Sequence, residues 1–381
     1  MGLKTALLHI GTPKTGTTSI QQCLSQAQVN GSLAPVCYPL QKGEHNQRRI
    51  VVLYSKHDEL SRSIRADYRA DDGRFQRMRT RYRDFLFAQL RSPKDAILSA
   101  EGLSTFMPME ATRLRDDLES LGFRDFHVVL YIRDPADYYL SIIQQRLRGP
   151  AEPPFVSDPA LFQYEFRRIA ETWEHAFPGS LIVRRYPSAN QHDVVDDFAS
   201  VLKENMGISL PRFPMRMNTT LSAEAMQILQ DYRGMFWPDN DGFLTPDSAA
   251  LAEFLQQSGT DLHQTKPVLQ EHVATQIRAN HMADAERIFS RYGVDLVLAQ
   301  LSPTPGGSRS QSYSVDEILE SVDPEIVRQL LLRFARTELG RTPAKRPLPL
   351  RIAARAYRAI PPSRRPARLA GWLKSFGSGE R

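Results

Sequence analysis

Apolar residues in this chain alternate between short runs and helical spacing. Ala6–Ile10, Val36–Tyr38, Ala96–Ala100, His127–Ile132 and Leu181–Arg185 are compact apolar stretches that predict strands. Between them the period changes. Ile20, Cys23, Leu24 and Ala27 follow the i, i+3, i+4, i+7 pattern of a helix starting near Thr17, and Gly31 offers its stop. Asp134 suits an N-cap and Pro135 a first helical position, so a second helix carries Tyr138, Tyr139, Ile142 and Ile143. Strands followed directly by helices predict an α/β fold with a mostly parallel central sheet and flanking helices.

Later segments read differently. Arg62–Arg83 is rich in Arg and Asp with little apolar periodicity, which predicts a solvated helix or an excursion over the sheet. From Ser222 to about Val297 the spacing of Met226, Leu229 and Tyr232, then Ile277, Met282, Ala285, Ile288 and Phe289, predicts a helical extension. The domain reading is one α/β domain over residues 1–300, helical from about 220, then a linker at 301–314 built around Pro-Thr-Pro-Gly-Gly. A C-terminal amphipathic helix follows at 315–340, and a Pro-punctuated tail at 341–381. No internal repeat is evident.

Composition narrows the class. With 41% hydrophobic and 24% charged residues in 381, the chain has the make-up of a folded globular protein rather than a disordered or collagenous one. No stretch reaches the 18 apolar residues of a bilayer span, and no signal-peptide core follows Met1. Ala6 stands where a myristoylation motif needs Ser or Thr. Two cysteines, Cys23 and Cys37, are too few for a disulfide framework, so the expected location is the cytoplasm. The net charge of +6 belongs to the tail: residues 341–381 carry +10 and the rest −4. In that tail Leu350, Ile352, Tyr357 and Ile360 alternate with Arg351, Arg355 and Arg358, a basic amphipathic pattern suited to an anionic membrane face as well as to a solvated helix. Basic residues interleaved with stacking aromatics, as nucleic-acid binding requires, are absent.

Candidate chemistry starts at Gly11-Thr12-Pro13-Lys14-Thr15-Gly16-Thr17-Thr18, between the first strand and first helix. Backbone N–H groups at such a turn converge on an anion, and Lys14 adds a full charge. This is not a Walker A loop, because Thr17 rather than Lys follows the last glycine. A second element is Tyr131-Ile132-Arg133-Asp134-Pro135, with Ser141 two helical turns on. Arg133 at a strand end and Ser141 on the next helix suit another phosphate. Two anion sites on one sheet edge predict a ligand phosphorylated at both ends.

On these residues the chain resembles the sulfotransferases that use 3′-phosphoadenosine-5′-phosphosulfate, and their bacterial branch in particular. The Thr-Pro-Lys-Thr-Gly-Thr-Thr loop is similar to their 5′-phosphosulfate loop, and Arg133 with Ser141 matches the spacing of their 3′-phosphate motif. Met217-Asn218-Thr219-Thr220-Leu221-Ser222 is a further likeness; the resemblance covers residues 5–220 and, loosely, 220–300. It implies a P-loop NTPase-like three-layer α/β/α fold and sulfuryl transfer to a hydroxyl, less readily an amine, of a glycan or other hydroxylated acceptor, with no metal. It assigns Pro13, Lys14, Thr15, Gly16, Thr17 and Thr18 to the 5′ end of the donor, Arg133 and Ser141 to the 3′-phosphate, and Tyr186 to the adenine. No counterpart of the family's late Arg-Lys-Gly segment is found. For the base that takes the acceptor proton, Glu101 after the third strand and His45 after the second are both candidates, with Glu44 beside them. Two other classes compete: an ATP-using P-loop phosphotransferase, and a catalytically silent nucleotide-binding protein.

Overall fold

The structure is a computed structural model. It describes residues 3–339, except 35, 42, 45, 61–63, 66–71, 152, 188–192, 214–219, 239–243, 258–261 and 297–312. The linker core, His45, Met217–Thr219 and the tail 341–381 therefore lie outside the described residues. In chain order the elements are β1 Lys4–His9, α1 Thr17–Val29, β2 Val36–Cys37, α2 Ile50–Tyr54, α3 Asp72–Leu90, β3 Asp95–Ser99, α4 Pro108–Ser120, β4 Phe123–Ile132 and α5 Pro135–Arg148. They continue with α6 Phe166–Ala176, β5 Leu181–Arg185, α7 Val194–Met206, α8 Ala223–Phe236, α9 Pro246–Gln257, α10 Glu271–Asn280, α11 Met282–Tyr292, α12 Val315–Ile318 and α13 Pro324–Leu339.

The chain forms two compact units that interleave along the sequence. The first takes residues 1–135, 163–217 and 281–300, and the second the remainder. The first unit is built on a five-stranded sheet in the order β2-β3-β1-β4-β5. Every pairing is parallel, and β1 is aligned with β3 from Ala6 opposite Ala96 to His9 opposite Ser99. The sheet is α/β, as the strand–helix alternation predicts.

Burial explains why these runs become interior strands. Leu7, Ile97, Val129 and Tyr131 point to one face, where they share a core with Ile20 and Leu24 of α1 and Val195, Phe198 and Leu202 of α7. Their neighbours Ala6, Leu8, Leu98, Val128 and Leu130 turn to the other face and are fully buried too. On that side α4 and α6 pack, with Trp173 stacked between Phe106 and Phe177.

Two stretches differ from their sequence reading. β4 starts at Phe123, four residues earlier than the apolar run, because Phe123, Asp125 and Phe126 extend the parallel ladder alongside Lys4–Ala6. The Arg-rich segment before residue 90 does have a stripe: Phe75, Tyr82, Leu86 and Leu90 are buried along α3. Its arginines mask a helical repeat that only a longer window would expose.

The second unit is helical. Tyr139, Ile143 and Leu147 of α5, Met226 and Leu229 of α8, Leu251 and Leu255 of α9, Ile277 of α10 and Leu330 of α13 share its core. Polar groups inside it are held by backbone. Arg233 is completely buried, with its guanidinium 4.3 Å over the Phe155 ring. It donates to the carbonyls of Arg146, Leu147 at 2.9 Å and Gly149 at 3.0 Å, which satisfies the end of α5. Glu224, equally buried, accepts the backbone N–H groups of Thr265 and Asp323. Among the described residues no helix is long and apolar enough to cross a membrane.

Candidate functional site

The strand order places the site. From β1 the chain goes to the edge strand β2 and returns to β3 between them, then crosses to β4 and β5 on the other side of β1. The helix after β1 lies on one face and α6, after β4, on the opposite one, so the carboxyl ends of β1 and β4 flank a switch point, where α/β sheets open a crevice. Hydrogen bonds continue past the strands there. Ile10 N–H donates to Val129, Ala100 N–H to His9 and Tyr186 N–H to Ile132, at 3.0, 3.3 and 2.7 Å. The loop, Glu101, Arg133 and Tyr186 consequently all leave one edge of the sheet.

The loop is a tight, strained turn. Lys14 has φ 63° and Gly16 φ 73°, both left-handed, a conformation costly for a lysine and free for a glycine. A Cβ on Gly16 would meet Val194 at 2.5 Å and the Tyr186 ring at 3.3 Å; a Cβ on Gly11 would meet the Thr17 hydroxyl at 2.1 Å. Both glycines are therefore dictated by close packing. Thr15 and Thr17 are buried, and their hydroxyls donate to the carbonyl of Thr12 at 2.7 and 3.4 Å. Their side chains fold the loop, which leaves their N–H groups as what they offer a ligand. Gly16, Thr17 and Thr18 stand where a helix has no preceding carbonyls to bond, at its positive end. Thr18 is exposed.

The residues of the two sequence motifs meet. Arg133 Nη1 donates to the Lys14 carbonyl at 3.2 Å, and its guanidinium lies 5.3 Å over the ring of Tyr186. That ring is the one packed against Gly16. Three segments 53 or more residues apart thus form one cluster with two cationic side chains at a helix N-terminus. Glu101 opens the short 3₁₀ turn Glu101–Thr105 after β3, with an accessible side chain. Neighbouring protein atoms strip water from its carboxyl and push its pKa up, while the charge of Lys14 pulls it back. The coupling puts Glu101 in the electrostatic reach of the loop lysine. Glu44, by contrast, is engaged by Arg49 at 3.3 Å. His45 lies outside the described residues, and Ser141 sits two turns into α5, in the second unit.

Three supporting residues escaped the sequence reading. Tyr164, fully buried, sets its hydroxyl 3.2 Å from that of Thr12 and 3.5 Å from the Arg133 N–H, bracing both motifs at once. Its own N–H donates to His281 Nε2 at 2.9 Å. Thr12 in turn donates to the Tyr131 carbonyl at 3.0 Å. Beneath the loop His9 is completely buried, its Nδ1 2.8 Å from the Ser99 hydroxyl, and burial holds its pKa down at about 3. It is a neutral spacer between the β1 and β3 ends. A histidine closing Leu7-Leu8-His9 was a visible signal; Tyr164 in a segment without periodicity was not.

No family model, curated protein or solved structure matches the chain.

Proposed function

We propose that the chain is a sulfotransferase of the kind its loop resembles, moving a sulfuryl group from 3′-phosphoadenosine-5′-phosphosulfate to a hydroxyl of a glycan or similar acceptor. The observation that carries the reading is the meeting of Arg133 with Lys14 and Tyr186, which joins two anion motifs far apart in sequence. The residues present fit a doubly anionic nucleotide. Gly16 lets the backbone approach closely, the start of α1 offers N–H donors, and an aromatic face stands beside the cations. The fold type belongs to the same reading: a P-loop-like first unit, with the helical residues from about 220 as an extension in sequence.

The donor supplies an activated sulfuryl group on a phosphate leaving group. Lys14 and the N–H groups of Gly16, Thr17 and Thr18 hold negative charge at the loop, the fixed-dipole stabilisation worth most where water is excluded. Arg133 binds the 3′-phosphate, and Tyr186 lies along the base. Glu101 takes the acceptor proton; its raised carboxyl is a better base near neutrality than an ordinary one. His45 stands as the acceptor-side candidate.

Calorimetry with adenosine 3′,5′-bisphosphate and with ATP plus magnesium tests the reading. The bisphosphate is expected to bind the wild type at least about tenfold tighter, and Lys14→Ala and Arg133→Ala each to lose roughly 10- to 100-fold, as for a charge-assisted pair. Preference for ATP would return the loop to a phosphotransferase. Bisphosphate binding without sulfate transfer to any acceptor would leave a silent nucleotide-binding protein.

A further inference from the structure

Away from the donor loop, the first unit gathers a second set of arginines. The short helix α2 packs on α3, on α4 and on the 3₁₀ turn that begins at Glu101. A Cβ on Gly102 of that turn would meet Val51 of α2 at 2.6 Å. One helical turn on, roughly 5 Å along the axis, Tyr54 ends α2. Its ring meets Phe106 edge-on at 5.8 Å, and its hydroxyl donates to Asp117 Oδ2 of α4 at 3.1 Å. Arg79 and Arg83, four positions apart on one face of α3, and Arg113, four before Asp117 on α4, belong to this end.

Charge is out of balance there. Arg79 Nη2 donates to the Leu53 carbonyl, and Arg113 Nε to the Met109 carbonyl of its own helix at 3.3 Å. Arg83 Nη2 stands 3.7 Å from Asp117 Oδ1, beyond hydrogen-bond length, and its guanidinium lies 4.9 Å over the Phe87 ring. Among the described residues Asp117 is the one carboxylate in salt-bridge reach of the three arginines. Burial, and then the charges of Arg113 and Arg83, push the Arg79 pKa down, so Arg79 lies close enough to both to feel them. Each guanidinium is a fixed fork of N–H donors, and Arg79 and Arg113 each spend one on backbone. Forks converging from two helices suit an oxyanion.

We propose that Arg79 and Arg113, with Arg83 beside them, bind an anionic group that the acceptor already carries: a carboxylate, phosphate or sulfate at a distance from the hydroxyl that reacts. The acceptor is then an acidic glycan rather than a neutral one. One short helix, α2, holds this cluster to the turn of Glu101, so the anion registers the acceptor against the base. The source of the anion rests on the sulfotransferase reading; the anion site itself rests on the arginines.

Titration calorimetry at low salt compares tetragalacturonate with neutral maltotetraose, on the full chain with adenosine 3′,5′-bisphosphate present in excess to fill the donor loop. The acid is expected to bind at least about tenfold tighter. Arg113 is exposed, so Arg113→Gln keeps the fold; it should weaken the acid about fivefold, as for an exposed ion pair, and leave maltotetraose and the bisphosphate unmoved. Arg79→Lys, which keeps the charge, should lose less than Arg79→Gln. Equal binding of the two sugars, or acid binding unmoved by Arg113→Gln, overturns the proposal. So does inorganic sulfate that displaces the acid at no higher concentration than the acid itself, the mark of a site for a free anion. A bisphosphate that fails to bind strikes the donor reading alone, and the effect of Arg113→Gln on the acid still decides the anion site.

Discussion

Arg133 in the first unit and Arg233 in the second use the same tools for different ends. Each lies over an aromatic ring and donates to backbone carbonyls. Arg233 has no exposed surface and closes off the end of α5. Arg133 is half-buried and shares a sheet edge with Lys14 and a helix N-terminus. A buried guanidinium saturated by carbonyls is a structural part, since its removal strands acceptors. One placed at an edge, beside a second cation and a helix N-terminus, is positioned to meet an anion. Location, more than residue type, separates scaffold from site.

The sharpest way to break that contrast is to remove each arginine. Arg233→Ala is expected to cost about 3–5 kcal/mol of stability, because several carbonyls lose their donor at once, whereas Arg133→Ala should stay within about 1 kcal/mol. Urea denaturation of both variants decides it; equal losses would make Arg133 structural. A smaller effect concerns Glu101. As the base it must be ionised, so transfer should fall with acidity through a pKa above the ordinary carboxylate value, and Glu101→Gln should lose that limb with roughly 100-fold of rate. An unchanged pH–rate profile would point to His45. Smallest is Tyr164→Phe. It should cost about 1 kcal/mol in thermal unfolding and weaken bisphosphate binding several-fold, by loosening Thr12 and Arg133 together. Unaltered binding would reduce Tyr164 to packing.

The strands were legible because a parallel sheet buried on both faces writes itself as short apolar runs, as Leu7-Leu8 and Val128–Ile132 do. The loop was legible because its backbone chemistry needs glycines and a lysine at fixed places. Long-range polar partners were not. Nothing local tells that Arg233 reaches carbonyls more than 80 residues away, or that Gln227 keeps one amide oxygen unpaired. The stripe on α3 was hidden for another reason: its arginines lie between Phe75, Tyr82 and Leu86 and dilute the average over any one turn.

The bond from Tyr164 to His281 has a consequence for how the protein is made. The two residues are 117 positions apart, yet both belong to the first unit. At a synthesis rate of about 5–20 residues per second, the ribosome takes roughly 6–23 s between them. Within that interval the last strand of the sheet, Leu181–Arg185, is made, while the tyrosine that braces the loop still waits for its acceptor. The brace closes after the strands it serves, and the nascent chain carries an unfinished loop for most of its translation.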